Sequence, residues 1–452
     1  MARGKKTAKE LTPEEKLAQA LVPIEEQPYQ IPENWCWTYM NRVAQWGSGG
    51  TPSRKNPEYY KGYIPWIKTG ELNDGYVYDT EEKITDEAIA CSSAKIFPAN
   101  TIAIAMYGAT IGKVGILGME AATNQACACG ICLEALAYKF LFYYARSQKG
   151  AFIGKAKGGA QPNISQEIIK THFIPLPPLA EQQRIVDRIE SIFKKLDEAK
   201  EKAQEVVDGF ELRKSAILHK AFTGKLTEKW REEHGETMDA WRKNTIDDLF
   251  FHTTGKALKQ DNKKGTLHKY ITTSNVYWGM FDFSEVREMY FTDDELEKCT
   301  ATKGDLLICN GGDVGRAAIW NYNYDICLQN HISKLRKKKD NVYIPFFYYY
   351  FLFCKIYGNI SGTGIGIASL SAKTLLTMEV KLPPLQEQRV IADILSVILG
   401  KEQKNKEIAE DAIKCMDAMK KTVLARAFRG ELGTNDPEEE SAMELLKSVI
   451  NL

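Results

Sequence analysis

Leu176-Pro177-Pro178-Leu179-Ala180-Glu181-Gln182-Gln183-Arg184-Ile185-Val186 opens a stretch that the chain uses twice. Leu382-Pro383-Pro384-Leu385-Gln386-Glu387-Gln388-Arg389-Val390-Ile391 begins the second use, 206 residues later. The landmarks that close the stretch, Ala221-Phe222, Gly224 and Leu226, return as Ala427-Phe428, Gly430 and Leu432, again offset by 206. Both copies therefore have the same length. Loops tolerate insertions, so a rigid element explains that equality better.

The residues between the landmarks have helical period. Ile185, Ile189, Ile192, Leu196, Ala199, Ala203, Val206 and Phe210 fall alternately four and three apart, the seam of a heptad repeat. About 40 residues without proline, at 1.5 Å each, make a rod of roughly 60 Å. The second copy shows Ile391, Leu395, Ile398, Ala409, Ala412, Met416, Met419 and Val423, interrupted by a polar run over 401–407. Either Glu402 and Asn405 sit in the seam and set its register, or this stretch bulges into solvent. A helix with an apolar seam needs a partner, and the chain supplies one. Antiparallel packing is expected, with a globular unit at each end related by a pseudo-two-fold axis.

The globular halves repeat more faintly. Trp66-Ile67-Lys68-Thr69-Gly70-Glu71 corresponds to Tyr270-Ile271-Thr272-Thr273-Ser274-Asn275. The alternating segment Thr101 to Met106, with Gly108 and Gly112-Lys113 behind it, corresponds to Asp305 to Asn310, Gly312 and Gly315-Arg316. Asn124-Gln125 answers to Gln329-Asn330, and Ile164-Ser165 to Leu370-Ser371. Short strands between glycine-rich turns, with occasional helices, read as α+β. The resulting division is a tail with a short helix over 1–27, a globe over 28–178, a spacer helix over 179–232, a second globe over 233–384, a second spacer helix over 385–432, and a tail over 433–452. Thr12-Pro13-Glu14-Glu15 is a capping box that starts a helix ending near Val22-Pro23. Residues 433–441 read as flexible, and 442–450 as one last short helix.

Bulk properties exclude several classes. At 452 residues and 44% hydrophobic, the chain has material for two or three cores. Its 60 basic against 59 acidic residues announce no nucleic-acid binder, so any basic surface is local. Ten cysteines follow no disulfide-framework spacing, no apolar run follows the basic start, and no stretch reaches membrane-spanning length. These features lead to the expectation of a reduced, cytoplasmic protein.

Catalytic motifs are nearly missing. Asn56-Pro57-Glu58-Tyr59 is not the Asn-Pro-Pro-aromatic signature of an amino-methyltransferase. The glycines at 108–113 and 150–155 are too closely spaced for a P-loop, and Gly362, Gly364 and Gly366 do not make a dinucleotide fingerprint. Asp79, Glu81 and Lys83 read as a solvated face. Cys127, Cys129 and Cys132 lack a second ligand group at zinc-site spacing, and fit one buried strand face better. No metal site and no cofactor is assigned to the chain.

Nucleic-acid chemistry, by contrast, is present in both halves. Cations able to neutralise phosphates cluster in turn-rich stretches, beside amides and hydroxyls able to address base edges. In the first half the candidate DNA-contacting residues are Arg54, Lys55, Lys68, Thr69, Tyr107, Lys113, Asn124, Gln125, Gln161 and Asn163. In the second they are Lys256, Lys259, Thr273, Ser274, Asn275, Asn310, Arg316, Gln329, Asn330 and His331. Singly, each reads as a solvated surface residue. The repetition of the arrangement carries the reading.

Gly49-Gly50-Thr51-Pro52-Ser53, then Tyr59-Tyr60, then Ile64 to Leu72, resemble the target-recognition domain of Type I restriction–modification specificity subunits. So do the two Leu-Pro-Pro-Leu openings and the two Ala-Phe-x-Gly-x-Leu helix ends. The resemblance spans about 28–432. The second globe departs from it, with His252-Thr253-Thr254-Gly255-Lys256 in place of the Gly-Gly-Thr-Pro-Ser run and no Pro-Trp pair. The resemblance implies that each globe reads half of a split site in double-stranded DNA and that the helices set the distance between halves. It implies two methylation subunits and motor–nuclease subunits as partners. S-adenosylmethionine, ATP and Mg²⁺ would belong to those partners. The competing readings are a self-sufficient DNA methyltransferase or nuclease with unfamiliar motifs, and a coiled-coil scaffold without a DNA role.

Overall fold

The structure, a computed structural model, describes residues 12–157, 162–258, 264–360 and 369–450. Gln161, Lys259 and the glycines at 362, 364 and 366 lie outside the described residues. The chain forms two compact units, one of Met1–Lys202 with Ala412–Leu452 and one of Ala203–Asp411.

In the first unit, strand Ile102–Ala105 shows how the core is built. Successive side chains on a strand point to opposite faces. Ile102 and Ile104 enter one core and Ala103 and Ala105 another, and all four are buried. This strand lies inside a five-stranded sheet ordered Ala44–Ser48, Cys127–Cys132, Ile102–Ala105, Val114–Leu117, Gly75–Val77. A second sheet runs Lys83–Ile84, Ile64–Ile67, Ala121–Thr123, Ile96–Phe97, with Trp66 paired to Ala122 in parallel. Helix Tyr138–Ser147 covers the Ile102/Ile104 face.

The second unit repeats this frame. Leu306 and Ile308 enter one core, Leu307 and Cys309 another. Its sheets run Phe250–Thr254, Ile332–Lys337, Leu306–Cys309, Ala317–Ile319, and Arg287–Phe291, Thr266–Ile271, Ile326–Leu328, Thr300–Ala301. Tyr270 pairs with Cys327 in parallel. Each unit also has a two-stranded ribbon at the helix root, Cys36 opposite Leu176 and Arg242 opposite Leu382. Those pairs stand 206 positions apart on both strands. The first unit's parallel edge strand Gly75–Val77 has no counterpart among the described residues of the second, where a hairpin of Val276–Tyr277 and Met280–Phe281 follows the same turn.

The long helices are Leu179–Asp208 and Leu385–Ala427. Past Asp208 the first continues as Phe210–Phe222, because Gly209 keeps helical dihedrals and donates to the Glu205 carbonyl at 3.0 Å. The pairing is antiparallel within each unit. In the first, Lys200 meets Asp417 at 2.7 Å and Asp197 meets Lys420. In the second, Arg213 meets Glu402 at 2.6 Å, and Lys406 lies 5.0 Å from the Phe210 ring centroid. Glu402 thus faces the partner helix, and 401–407 stay helical rather than bulging out.

The apolar seam differs from the expected one. Ile185, Val186, Ile189 and Phe193 are buried, while Ile192 and Leu196 line a groove of about 420 Å³ with Cys415, Met419 and Val423. The first turns pack on the globe's core as well as on the other helix, which turns the buried stripe toward Val186 and Phe193.

The C-terminal segment is docked, not flexible as its composition suggested. Arg184 holds the Glu439 carboxylate with two bonds, 2.8 and 2.7 Å, and Asn34 donates to the Asp436 carbonyl at 3.0 Å. Helix Ala442–Val449 buries Ala442 and Leu446 in the first unit's core. At the other terminus, the capping box is formed and helix Pro13–Ala20 follows it.

Candidate nucleic-acid interface

In each unit one end of the sheets gathers most of the candidate residues. In the first, Asn124 N–H donates to the Ile67 carbonyl and Gly50 N–H to the Thr123 carbonyl, both at 2.9 Å. This ties the turn after 64–67, the turn after 121–123 and the glycine run together. Gly49 is required there, since a β-carbon would lie 1.9 Å from the Thr123 carbonyl oxygen. Met106 N–H donates to the Ala126 carbonyl, and the strand path ends in a bridge between Tyr107 and Asn163. Lys157 bridges Asn163 from the other side.

The side chains on this frame behave differently from one another. Gln125 is exposed and accepts from the Thr51 hydroxyl. Asn124 is half-buried and caps its own turn through Ala126 N–H at 3.2 Å. Tyr107 is 45% exposed. Lys55, Lys157 and Asn163 are exposed, while Thr69 and Lys113 are half-buried. Arg54 and Lys68 are spoken for. Arg54 pairs with Glu82 at 2.7 Å and lies 4.0 Å over the Tyr60 ring. Lys68 pairs with Glu81 at 2.9 Å and Glu82 at 3.3 Å. Arg54, the nearer cation, holds the Glu82 carboxyl below the ordinary range.

The second unit has the same backbone frame. Gln329 N–H donates to the Ile271 carbonyl, Lys256 N–H to the Leu328 carbonyl, and Asn310 N–H to the His331 carbonyl. Gly255 takes Gly49's place, with a β-carbon 2.1 Å from the Leu328 carbonyl oxygen. The Gly-Gly-Thr-Pro-Ser run is absent here, but the glycine packed against the neighbouring strand's carbonyl is kept, while Gly50, whose β-carbon would lie 2.4 Å from Ala94 N, is replaced by Lys256.

Four candidates in this unit face inward. Lys256 is 8% exposed, and its ammonium meets Glu295 at 2.6 Å and the Tyr290 carbonyl at 2.7 Å, lowering the Glu295 pKa. Asn275 is 4% exposed and bridges the Asp282 and Glu285 carbonyls at 2.9 and 2.8 Å. It occupies the position that Glu71 holds in the first unit, where a side chain caps the preceding turn. Asn310, 8% exposed, donates to Ser333, which also meets His252, each at 2.8 Å. It continues the inward alternation of Leu306 and Ile308, as Met106 continues Ile102 and Ile104. Gln329, 8% exposed, donates to the Asn330 side chain at 2.7 Å. Arg316 is tied to the Thr273 carbonyl at 2.7 Å. Ser274 and His331 are exposed, Thr273 and Asn330 partly so.

Some partners escaped the sequence reading. Thr51 lay in a quoted motif without being named as a contact. Ser369, bridged to Gly311 as Asn163 is to Tyr107, sits 206 residues after Asn163 and was findable by that offset. Cys127 and Cys129 face one apolar core, and burial pushes the Cys129 thiol up to about 12. Among the described residues no group of three His, Cys, Asp or Glu side chains is placed to hold a metal ion. Among the same residues no helix is long and apolar enough to cross a membrane.

One turn frame, built in both units, carries the exposed Gln125 and Asn163 in the first and the exposed Ser274 and His331 in the second. The family described as "Type I restriction modification DNA specificity domain" matches residues 32–207 and again 238–410, and the chain belongs to it. The chain is 24% identical over 445 residues to the Type I restriction enzyme EcoKI specificity subunit of Escherichia coli K12, covering 93% of this chain and 96% of that one. It is 22% identical to the StySPI specificity subunit of Salmonella potsdam, covering 89% and 90%. Its fold matches the HsdS subunit from Thermoanaerobacter tengcongensis with a TM-score of 0.64 at 19% identity, over 90% of this chain and all of that one. A structure from work on complex assembly and conformational transition of the type I R-M system matches at 0.68 and 20%, with the same coverage. The chain is a non-catalytic DNA-recognition subunit, and neither a self-sufficient enzyme nor a scaffold without a DNA role is favoured.

Proposed function

We propose that each unit reads one half of a bipartite DNA site and that the chain presents the DNA to two methylation subunits and to motor–nuclease subunits. S-adenosylmethionine, ATP and Mg²⁺ then belong to those partners, and the complex works in the cytoplasm. The observation that carries this reading is one backbone frame built twice with different outward side chains. Gln125, Tyr107 and Asn163 stand where the second unit has Asn330, Gly311 and Ser369. Identical frames suit the same task, and different side chains suit different base sequences. Two half-sites share the discrimination that a single small interface supplies poorly.

Exchanging residues 28–178 for those of a relative and sequencing the host's methylome tests it. One half of the recognised site changes and the other stays. A change in both halves, or in neither, would sink the reading.

A further inference from the structure

The two Leu-Pro-Pro-Leu-x-Glu-Gln openings have no part in the candidate interface, yet Glu181, Gln182, Glu387 and Gln388 are all 0% exposed. Buried groups of this kind must be satisfied by the protein. Gln182 donates to the Ala135 and Pro177 carbonyls at 2.9 and 3.0 Å and accepts from Ala137 N–H at 2.8 Å. Gln388 donates to the Asn341 and Pro383 carbonyls, both at 2.9 Å, and accepts from Tyr343 N–H at 2.9 Å. Every partner is displaced by 206 residues. Glu181 accepts from the Trp35 indole at 3.0 Å and Glu387 from the Trp241 indole at 2.9 Å, and these tryptophans also stand 206 apart.

The remaining carboxylate oxygen reaches the segment that leaves the other long helix. Thr434 donates to Glu181 at 3.3 Å; Thr227 and Arg231 donate to Glu387 at 2.7 and 2.5 Å. Each Glu-Gln pair therefore joins the start of one long helix, the end of the other, the strand entering the globe and a loop of the globe. Few of these bonds stay within a single element. Their geometry fixes how a globe is seated on its own helix pair. Apolar packing tolerates repacking, whereas a satisfied buried polar network admits one arrangement, because any other leaves groups unpaired.

We propose that these two Glu-Gln hubs are positioning elements that set the length of DNA accepted between the two half-sites, a role that rests on the bipartite reading. The half-site bases are read elsewhere, so the two properties separate. The hubs differ in their fourth partner. An arginine neutralises Glu387 directly, while Glu181 has Thr434, and burial raises its pKa. The first hub is the one with fewer fixed bonds.

The test uses the full complex with its methylation partners. Trp35→Phe keeps one aromatic ring while removing the N–H and the five-membered ring that carries it; Gln182→Met keeps the volume and deletes three bonds. Methylation rates are measured on duplexes with the parental spacer and with spacers one and two base pairs shorter or longer. The variants are expected to lose about fivefold of the discrimination against off-length spacers while half-site preference stays. Unchanged spacer discrimination in both assembled variants overturns the proposal. So does altered half-site preference, or failure of both variants to assemble, which makes the hub a folding element. A parental complex indifferent to spacer length refutes the bipartite reading itself, and the proposal with it.

Discussion

Replacing the buried Arg231 by methionine should be the more damaging of the arginine changes at the two long-helix junctions. Arg231 is 6% exposed, and its guanidinium meets Glu387 at 2.5 Å, Thr227 at 3.0 Å and the Gly224 carbonyl. Without it the Glu387 carboxylate, 0% exposed, keeps only the Thr227 hydroxyl and the Trp241 indole. Stranding a buried charge costs about 3–5 kcal/mol. The comparison is Arg184→Met, which also removes an arginine with three bonds, two to Glu439 and one to the Thr434 carbonyl. There the side chain is 39% exposed and its partner Glu439 22% exposed, so the loss is about 0.2–1 kcal/mol. A chain of two units need not unfold in one step, so a single melting temperature mixes the effects. Hydrogen exchange resolved by peptide measures them locally. At about 1.4 kcal/mol per tenfold, Arg231→Met should lower protection across 385–395 and 228–235 about a hundredfold or more, and Arg184→Met less than tenfold around 439. Adding Glu387→Gln to Arg231→Met should restore part of the loss by removing the stranded charge. If the double variant is no better protected than Arg231→Met, the electrostatic account is wrong.

The frame at the interface gives a second expectation. Gly49→Ala and Gly255→Ala each drive a β-carbon into a carbonyl oxygen, at 1.9 and 2.1 Å, and should cost on the order of 3 kcal/mol in urea unfolding; a loss below 1 kcal/mol in both refutes it. Under the proposed function, Lys55→Ala should lower the slope of log affinity against log salt by about one, whereas Gln125→Ala should relax base preference and leave the slope alone. Titrating salt against cognate and altered duplexes checks both. His172 is 6% exposed, between Gln148 at 3.2 Å and Lys155 at 3.3 Å, and burial followed by the Lys155 charge lowers its pKa to about 4. The unfolded chain binds a proton near pH 6.5 that the folded chain refuses, so stability is full above that pH. It falls by about 3 kcal/mol as pH drops to 4. His172→Gln should flatten that loss in urea midpoints followed from pH 7.5 to 4, and an equally steep loss in the variant counts against it.

Much of the fold was legible because an internal repeat makes its own alignment. The offset of 206 located both helices, and a shorter offset of 204 matched Trp66 to Tyr270 in the strands Ile64–Ile67 and Thr266–Ile271; the ribbons at the helix roots were not read from the sequence. What it did not reveal was which stripe of each helix is buried. Heptad spacing assumes one neighbour, and Leu179–Asp208 has two, a globe and a helix. The docking of 433–450 was illegible for a different reason. Its acidic residues look solvated, and only the distant Arg184 and Asn34 give them partners. Of the candidate contacts, the first unit's stayed largely outward, while Lys256, Asn275, Asn310 and Gln329 turned inward. Residue type marks a group as able to bond a base; it cannot say whether a carbonyl or a serine has already claimed the bond.

That distinction narrows the proposed reading surface. The backbone bonds equate Lys68 with Thr272, Glu71 with Asn275, Met106 with Asn310 and Gln125 with Asn330. In the first unit the brace is Glu71 and the inward strand residue is Met106, neither suited to reading bases from where it sits. The second unit uses amides for the same two jobs, so its amide count overstates its capacity to read. The outward positions are then the informative ones: Thr51, Tyr107, Gln125 and Asn163 in one unit, Ser274, Asn330, His331 and Ser369 in the other. Differences confined to these positions leave the cores untouched, because none of their side chains is part of the packed interior. A frame held by backbone hydrogen bonds and by a glycine packed against the neighbouring strand in each unit can therefore change what it reads without changing how it folds.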